Sequence, residues 1–309
     1  MSEPTVVETP AALRLASERW RAAGLMVGLV PTMGALHAGH ASLIRRAVEE
    51  CDRAVVSIFV NPAQFRPGED LERYPRTVEQ DLALCAGEGV AAVYLPLVEA
   101  VYPPGFATSV SVTGTATAGF DAERRPGHFD GVALIVTKLL VAARADVAYF
   151  GAKDAQQCAV VRRLATDLDI GTRIAVCPTV RDHDGLALSS RNAYLSPQQR
   201  LQALAIPRGL AAAARAVADG VSDASAVVAA VELELAASPD LEVEYVAAVD
   251  PESFVPVAAV TSGTQILVAA RISTTRLIDT LCAGVDEAPA VPPRAVVASA
   301  VGTAMAGRG

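Results

Sequence analysis

Three short segments gather side chains suited to phosphate chemistry. The first, Pro31-Thr32-Met33-Gly34-Ala35-Leu36-His37-Ala38-Gly39-His40, sets two imidazoles three residues apart among small residues. Glycines let backbone approach a ligand closely, and a helix N-terminus beyond them offers free N–H groups and a positive dipole to phosphate. The imidazoles can donate hydrogen bonds to phosphate oxygens as negative charge builds on a leaving group. The second segment, Gly151-Ala152-Lys153-Asp154-Ala155-Gln156-Gln157, offers an ammonium as phosphate clamp and a carboxylate for a ribose hydroxyl. Its Gln157 amide could fix a polar substrate group. The third, Leu188-Ser189-Ser190-Arg191-Asn192, follows the turn-rich RDHDG and sets two hydroxyls beside a guanidinium. The planar fork of arginine suits phosphate oxygens.

Two further segments are polar without being strongly charged. Asn61-Pro62-Ala63-Gln64-Phe65 brings two amides, which bind carboxylates and hydroxyls, and Arg125-Pro126-Gly127-His128-Phe129 precedes a helix. Read alone, each segment also fits an ordinary turn or helix start, and a lone His128 fits a core or capping role. Two histidines are too few ligands for a zinc site. Joint placement changes the balance. Three of these segments follow strands of one expected parallel sheet, so their loops would converge on one edge. Of the four histidines, three lie in the segments named here.

The elements that must position these loops are legible in the apolar pattern. MVGLVPT and AVVSIFVN (54–61) are unbroken apolar runs, followed by AAVYLP (91–96), DVAYFG (146–151) and TRIAVCP (172–178). Helical periods fall between them, at 11–23, after GALHAGH, near 77–88 and after Asp130-Gly131. Unbroken apolar strands alternating with helices predict a parallel sheet covered on both faces, in an α/β protein. SVSVTG (109–114) reads as an outlying strand. Past about 180 the texture changes to Ala-rich helix (197–237), where Pro207 is expected to kink or break the run. LEVEYVAAVD (241–250) and QILVAARI (265–272) read as strands of a smaller α+β domain. The expected organisation is 1–179, 180–284 and a poorly ordered tail, 285–309.

The chain has 309 residues, 52% of them hydrophobic and only 5% aromatic, so the core must be built from Ala, Val, Leu and Ile. The net charge of −8 is poor for a long polyanion, which calls for a basic stripe, so no nucleic-acid partner is expected. Five scattered cysteines without a CxxC pair read as reduced thiols of a cytoplasmic protein. The acidic N-terminus lacks the apolar core of a signal peptide, and the short apolar runs predict no membrane span.

Taken in order, VGLVPTMGALHAGHASLIRRA, VSIFVNPAQF, RYPRT, RPGHFDGVALIVTKLL, YFGAKDAQQ, PTVRDHDGLALSSRNAYLS and LVAARISTTRLID closely resemble the pantothenate synthetase family, over about 26 to 280. HxGH alone would point only to the wider nucleotidyltransferase group. The resemblance implies a Rossmann-like N-terminal domain, a C-terminal lid domain and a homodimer. It implies condensation of D-pantoate with β-alanine through a pantoyl adenylate, with ATP as substrate and Mg²⁺ on its phosphates. By resemblance His37, His40, Lys153, Ser189, Ser190 and Arg191 meet ATP phosphates, and Asp154 with the backbone of Gly151 holds the ribose. Backbone near Val180 and Leu188 reads adenine, and Pro31, Thr32, Met33, Gly34 and Gly39 complete the ATP site. Gln64 and Gln157 hold pantoate, with Met33, Asn61, Arg125 and His128 lining or supporting it. Asp81 is a candidate for the metal's shell. The sequence departs from the family pattern at Ala152, usually Glu, and Ala155, usually aromatic. Both losses remove side-chain support beside Lys153 and keep open a first alternative, a catalytically weak relative that only binds nucleotide or serves as a dimeric partner; a second is an enzyme of the same superfamily that transfers a nucleotidyl group to a phosphate ester. Gln64 and Gln157 argue against the second, since a phosphate ester would call for more Arg or Lys.

Overall fold

The two apolar runs VGLV and AVVSI become neighbouring strands at the centre of a parallel sheet, in a computed structural model that describes residues 3–292. In chain order the strands are β1 (Thr5–Val7), β2 (Val27–Thr32), β3 (Arg53–Ile58), β4 (Ala92–Tyr94), β5 (Val147–Gly151) and β6 (Arg173–Cys177). Their order across the sheet is β1-β4-β3-β2-β5-β6, every pairing parallel. The chain therefore runs outward from β2 on one side, then crosses back to lay β5 against its other side. The crevice beyond the carboxyl ends of β2 and β5 is the topological switch point, where open α/β sheets bind ligands. The HxGH and GAKD segments leave the sheet at these two strands.

Period-two alternation sorts the strand residues between two cores. Leu29, Val55, Ala148 and Phe150 pack on one side with the His128–Ala143 helix. Val30, Val56, Val93 and Tyr149 pack on the other with the Ala38–Glu50 helix. Both faces are thus covered, as the unbroken apolar strands require.

By its contacts the chain divides into two compact units, one comprising residues 1–179 with 252–254 and the other the remainder. The second unit holds an antiparallel sheet, β7 (Leu241–Val249), β8 (Gln265–Ile272) and β9 (Thr275–Cys282), in that order. Its helices Ala205–Ala218 and Ala224–Ala236 bury Ile206, Leu210, Val227, Val231 and Leu235 with Ile266, Val268 and Ile272 of the sheet. Gly209 lets this helix pair close, since a Cβ there would stand 2.9 Å from the Val231 side chain.

Several expectations change against the structure. Residues 109–114 form no strand: Val110 and Val112 do pack on the first core, but among the described residues no ladder partner pairs with them. Pro207 sits in the first turn of its helix, where a missing N–H costs nothing, and the helical run breaks just ahead of it, between Pro197–Ala203 and Ala205–Ala218. Strands β1 and β9 were not legible beforehand. Of the expected tail, 293–309 lies outside the described residues, while Pro289 is buried and Val291 packs against the second core.

Candidate active site

The first turn of the Ala38–Glu50 helix is built from its two histidines. The Gly39 N–H donates to His37 Nδ1 at 3.1 Å, and the His37 N–H donates to His40 Nδ1 at 3.3 Å, so the rings cap the helix reciprocally. Each Nδ1 is spent as an acceptor, which fixes the proton on Nε2. The ring centroids lie 4.1 Å apart. Burial, then the charge of Lys153, lowers His37 to about 4. Burial, then His37 and Lys153, holds His40 well below the usual histidine range. At neutral pH the pair is therefore two uncharged N–H donors beside one ammonium. That combination suits a polyphosphate, with donors for its oxygens and a cation for its charge.

The loop before the histidines takes two successive left-handed residues, Gly34 (φ 85°) and Ala35 (φ 51°). Asp81 holds it there. Its carboxylate accepts from the Ala35 N–H at 2.9 Å, the Leu36 N–H at 2.8 Å and the Thr77 hydroxyl at 3.1 Å, and the residue is 2% exposed. Asp81, the candidate for the metal's shell, thus accepts from two backbone N–H groups and one hydroxyl, which is how a carboxylate stabilises such a nest of N–H groups. Asp81→Asn should lose at least one of these charge-assisted bonds and turn an amide N–H toward a backbone N–H. A destabilisation of about 2–3 kcal/mol is expected, measured by urea unfolding. Thr32 anchors the same loop by donating to the Ser57 carbonyl at 2.6 Å and accepting from the Gly34 N–H at 3.2 Å.

Lys153 follows β5 directly, in a 3₁₀ turn over Ala152–Asp154. Its ammonium stands 3.9 Å from the Asp154 carboxylate, which is 44% exposed and so open to a hydroxyl-bearing ligand. Gln157 is half-buried and makes no side-chain hydrogen bond among the described residues. Its neighbour Gln156 is a structural residue, accepting from the Asp121 N–H at 2.9 Å and donating to the Ala116 carbonyl at 3.2 Å. Gly151 needs no special conformation, and a Cβ there would meet open space. Nothing in the structure accounts for alanine at 152 and 155.

Beyond β3, Asn61 caps the 3₁₀ turn Pro62–Gln64, and its amide donates to Gln64 Oε1 and to the Gly131 carbonyl, both at 3.0 Å. Gln64 Nε2 rests 3.0 Å from Met33 Sδ, which ties this turn to the β2 loop. His128 supports the turn from below. Its Nδ1 lies 2.8 Å from the Gln64 carbonyl and must donate to it, so its Nε2 accepts from Arg125 at 2.9 Å. Glu69 holds Arg125 in place at 2.7 Å. Burial and the adjacent guanidinium lower His128 to about 4. Glu69 and Gly131 escaped notice in the sequence, although a glycine inside a helical pattern is a signal of close approach.

The second unit carries the remaining candidates on one loop. The Leu188 N–H donates to the Val180 carbonyl at 3.0 Å, and a bridge pairs Arg181 with Ala187. Among the described residues the Val180 N–H and the Leu188 carbonyl make no backbone hydrogen bond, which leaves one donor and one acceptor edge. Ser189 caps the turn Ser190–Tyr194 by accepting from the Arg191 N–H at 3.3 Å. Among the described residues no group of three or more metal-ligating side chains occurs, and no helix is long and apolar enough to cross a membrane.

The family model described as pantoate-beta-alanine ligase matches residues 5–282. The chain belongs to this family. A bifunctional pantoate ligase/cytidylate kinase of Gloeobacter violaceus is 52% identical over 90% of the chain, which spans about half (54%) of that protein. The pantothenate synthetase of Rubrobacter xylanophilus is 48% identical, covering 90% of this chain and 98% of its own. A crystal structure of pantoate-beta-alanine ligase from Francisella tularensis, complexed with beta-gamma ATP and beta-alanine, is 29% identical with a TM-score of 0.73, covering 90% of this chain and 97% of that one. As a pantoate–β-alanine ligase the protein is an ATP-dependent enzyme that forms pantothenate.

Proposed function

We propose that the enzyme works in two steps through a pantoyl adenylate. The pantoate carboxylate attacks the α-phosphorus of ATP, forming the mixed anhydride and expelling pyrophosphate. The amine of β-alanine then attacks the acyl carbon; the C–O bond breaks, AMP leaves, and the amine loses its proton. A carboxylate oxygen is a poor leaving group and AMP a good one, so no covalent enzyme intermediate is needed. The protein's task is positioning and charge neutralisation.

In this reading His37 and His40 donate Nε2–H to phosphate oxygens and Lys153 balances their charge. Asp154 and the Gly151 backbone take the ribose. Within the second unit, Ser189, Ser190 and Arg191 are the groups suited to phosphate oxygens, and the backbone edge of Val180 and Leu188 suits adenine. Gln64 and Gln157 hold pantoate. The reciprocal cap that turns both imidazoles' Nε2–H outward beside one lysine carries the proposal, because it offers a polyphosphate fixed hydrogen-bond donors and one balancing charge. Mg²⁺ enters as part of the MgATP substrate: the described side chains form no resident cage, and magnesium commonly rides on substrate phosphates with few protein ligands. We take the enzyme to be cytoplasmic, in keeping with five unpaired cysteines, and homodimeric. The dimer reading is supported by the extended 107–113 segment, which makes no backbone hydrogen bond among the described residues.

The test is AMP release from MgATP with D-pantoate and β-alanine, omitting each in turn. AMP that requires pantoate, with pantothenate as co-product, is expected. Folded, ATP-binding protein that releases no pantoate-dependent AMP would defeat the reading.

A further inference from the structure

We propose that Tyr102 is a positioning residue of the pantoate site, acting through Asn61 to hold the Gln64 amide as a hydrogen-bond donor. The proposal rests on the reading that Gln64 binds pantoate. The Tyr102 hydroxyl lies 2.7 Å from Asn61 Oδ1, which also accepts from the Ala63 N–H at 3.2 Å. Asn61 Nδ2 donates to the Gly131 carbonyl and to Gln64 Oε1. All four hydrogen-bonding positions of the Asn61 amide are therefore filled, by two donors on its oxygen and two acceptors on its nitrogen. A flipped amide would set N–H against the Ala63 N–H and oxygen against the Gly131 carbonyl, so the orientation is fixed.

That orientation has a consequence for Gln64. Its oxygen is occupied by Asn61, and its Nε2 faces only the Met33 thioether, a weak acceptor. A carboxylate or hydroxyl oxygen of a ligand replaces that sulfur with a strong acceptor. The site thus selects an oxygen-rich acid by offering it a donor whose direction is already set.

Tyr102 is itself held rigidly. Its ring lies 6.2 Å from Phe59 and 5.2 Å from Phe106, and Lys138 Nζ stands 4.8 Å from the Phe106 ring. Burial pushes the phenol up to about 12, so it keeps its proton and donates. Asn61 is 1% exposed, which leaves no bulk water to replace the phenol if it is removed.

The experiment is Tyr102→Phe, with steady-state kinetics for each substrate. Loss of one buried hydrogen bond to the relay is expected to raise the pantoate KM about five- to tenfold, with the ATP KM unchanged and the melting temperature lowered by no more than a few degrees. In an Asn61→Ala background the same substitution should add nothing, because its effect passes through Asn61. Equal rises in the KM of pantoate and ATP, or an effect that adds to that of Asn61→Ala, would overturn the relay. Should Tyr102→Phe not fold, Asn61→Asp serves: it still accepts from Tyr102 but offers Gln64 no N–H, so a selective rise in pantoate KM is expected and an unchanged one contradicts the proposal. Wild-type protein that turns over no pantoate would defeat the underlying reading and the proposal with it. An active wild type with an unaffected Tyr102→Phe defeats the relay alone.

Discussion

Lys153→Ala should lower pantoate-dependent AMP formation by about a hundred- to a thousandfold while leaving the protein folded, the scale set by removing one preorganised electrostatic donor from an active site. The side chain is 18% exposed and its one ion pair among the described residues, with Asp154, is long at 3.9 Å, so little stability depends on it. Its charge is felt by both imidazoles, which it helps to keep neutral. Without it the His37 and His40 pKa values rise toward the ordinary range, though burial still opposes protonation. The variant's activity should therefore not be restored by the histidines alone, since neither becomes a full cation at neutral pH. Single-turnover AMP formation, followed beside thermal melting, checks this. Near-normal turnover would show that Lys153 is not the phosphate clamp.

The second large effect is expected at a residue that touches no substrate. A Cβ on Gly131 would stand 2.2 Å from the Ala63 carbonyl oxygen, 2.4 Å from its carbon and 2.6 Å from the Gln64 Cα. These are backbone atoms, so no rotamer change relieves the overlap. Gly131 lies within the His128–Ala143 helix, where alanine would otherwise be favoured by about 1 kcal/mol. The clash reverses that sign: Gly131→Ala should destabilise by about 1–3 kcal/mol, as overpacking does. It should also push the Asn61–Gln64 turn outward and raise the pantoate KM by about tenfold, the scale of losing one aligned hydrogen bond to a ligand. Urea unfolding and a pantoate titration read the two effects. A variant of unchanged or increased stability with unchanged pantoate KM would show that the helix and turn can slide apart freely.

Much of this was legible in residue order because the physics is local. VGLV and AVVSI carry a single polar side chain, Ser57, and such short apolar runs alternating with helical periods mark strands covered on both faces, so the parallel sheet followed from the pattern. The loops at the ends of β2 and β5 then had to share one edge. What was not legible depends on neighbours distant in sequence. The three residues of β1 carry too short a signal to distinguish an edge strand from coil. The hairpin between β8 and β9 turns at Ser273, which takes φ 53° without glycine or asparagine to announce it. The alternation at 109–114 resembles a strand, yet alternation specifies a half-buried surface and says nothing of a ladder partner. Asp81 looked like an available carboxylate because its two backbone donors come from residues 35 and 36. The site suffered the same loss: His37 and His40 were visible as candidates, but their neutral, Nε2-protonated form comes from the reciprocal cap and from burial. Tyr102 and Glu69 act through other residues and carry no motif of their own.

The proposed adenylate is tested most directly by following the carboxylate oxygens. With D-pantoate carrying ¹⁸O in both carboxylate positions, AMP should gain one labelled oxygen per turnover and pantothenate should keep the other in its amide carbonyl. Unlabelled AMP, or label carried into inorganic phosphate with ADP as the nucleotide product, would contradict attack at the α-phosphorus and the account built on it.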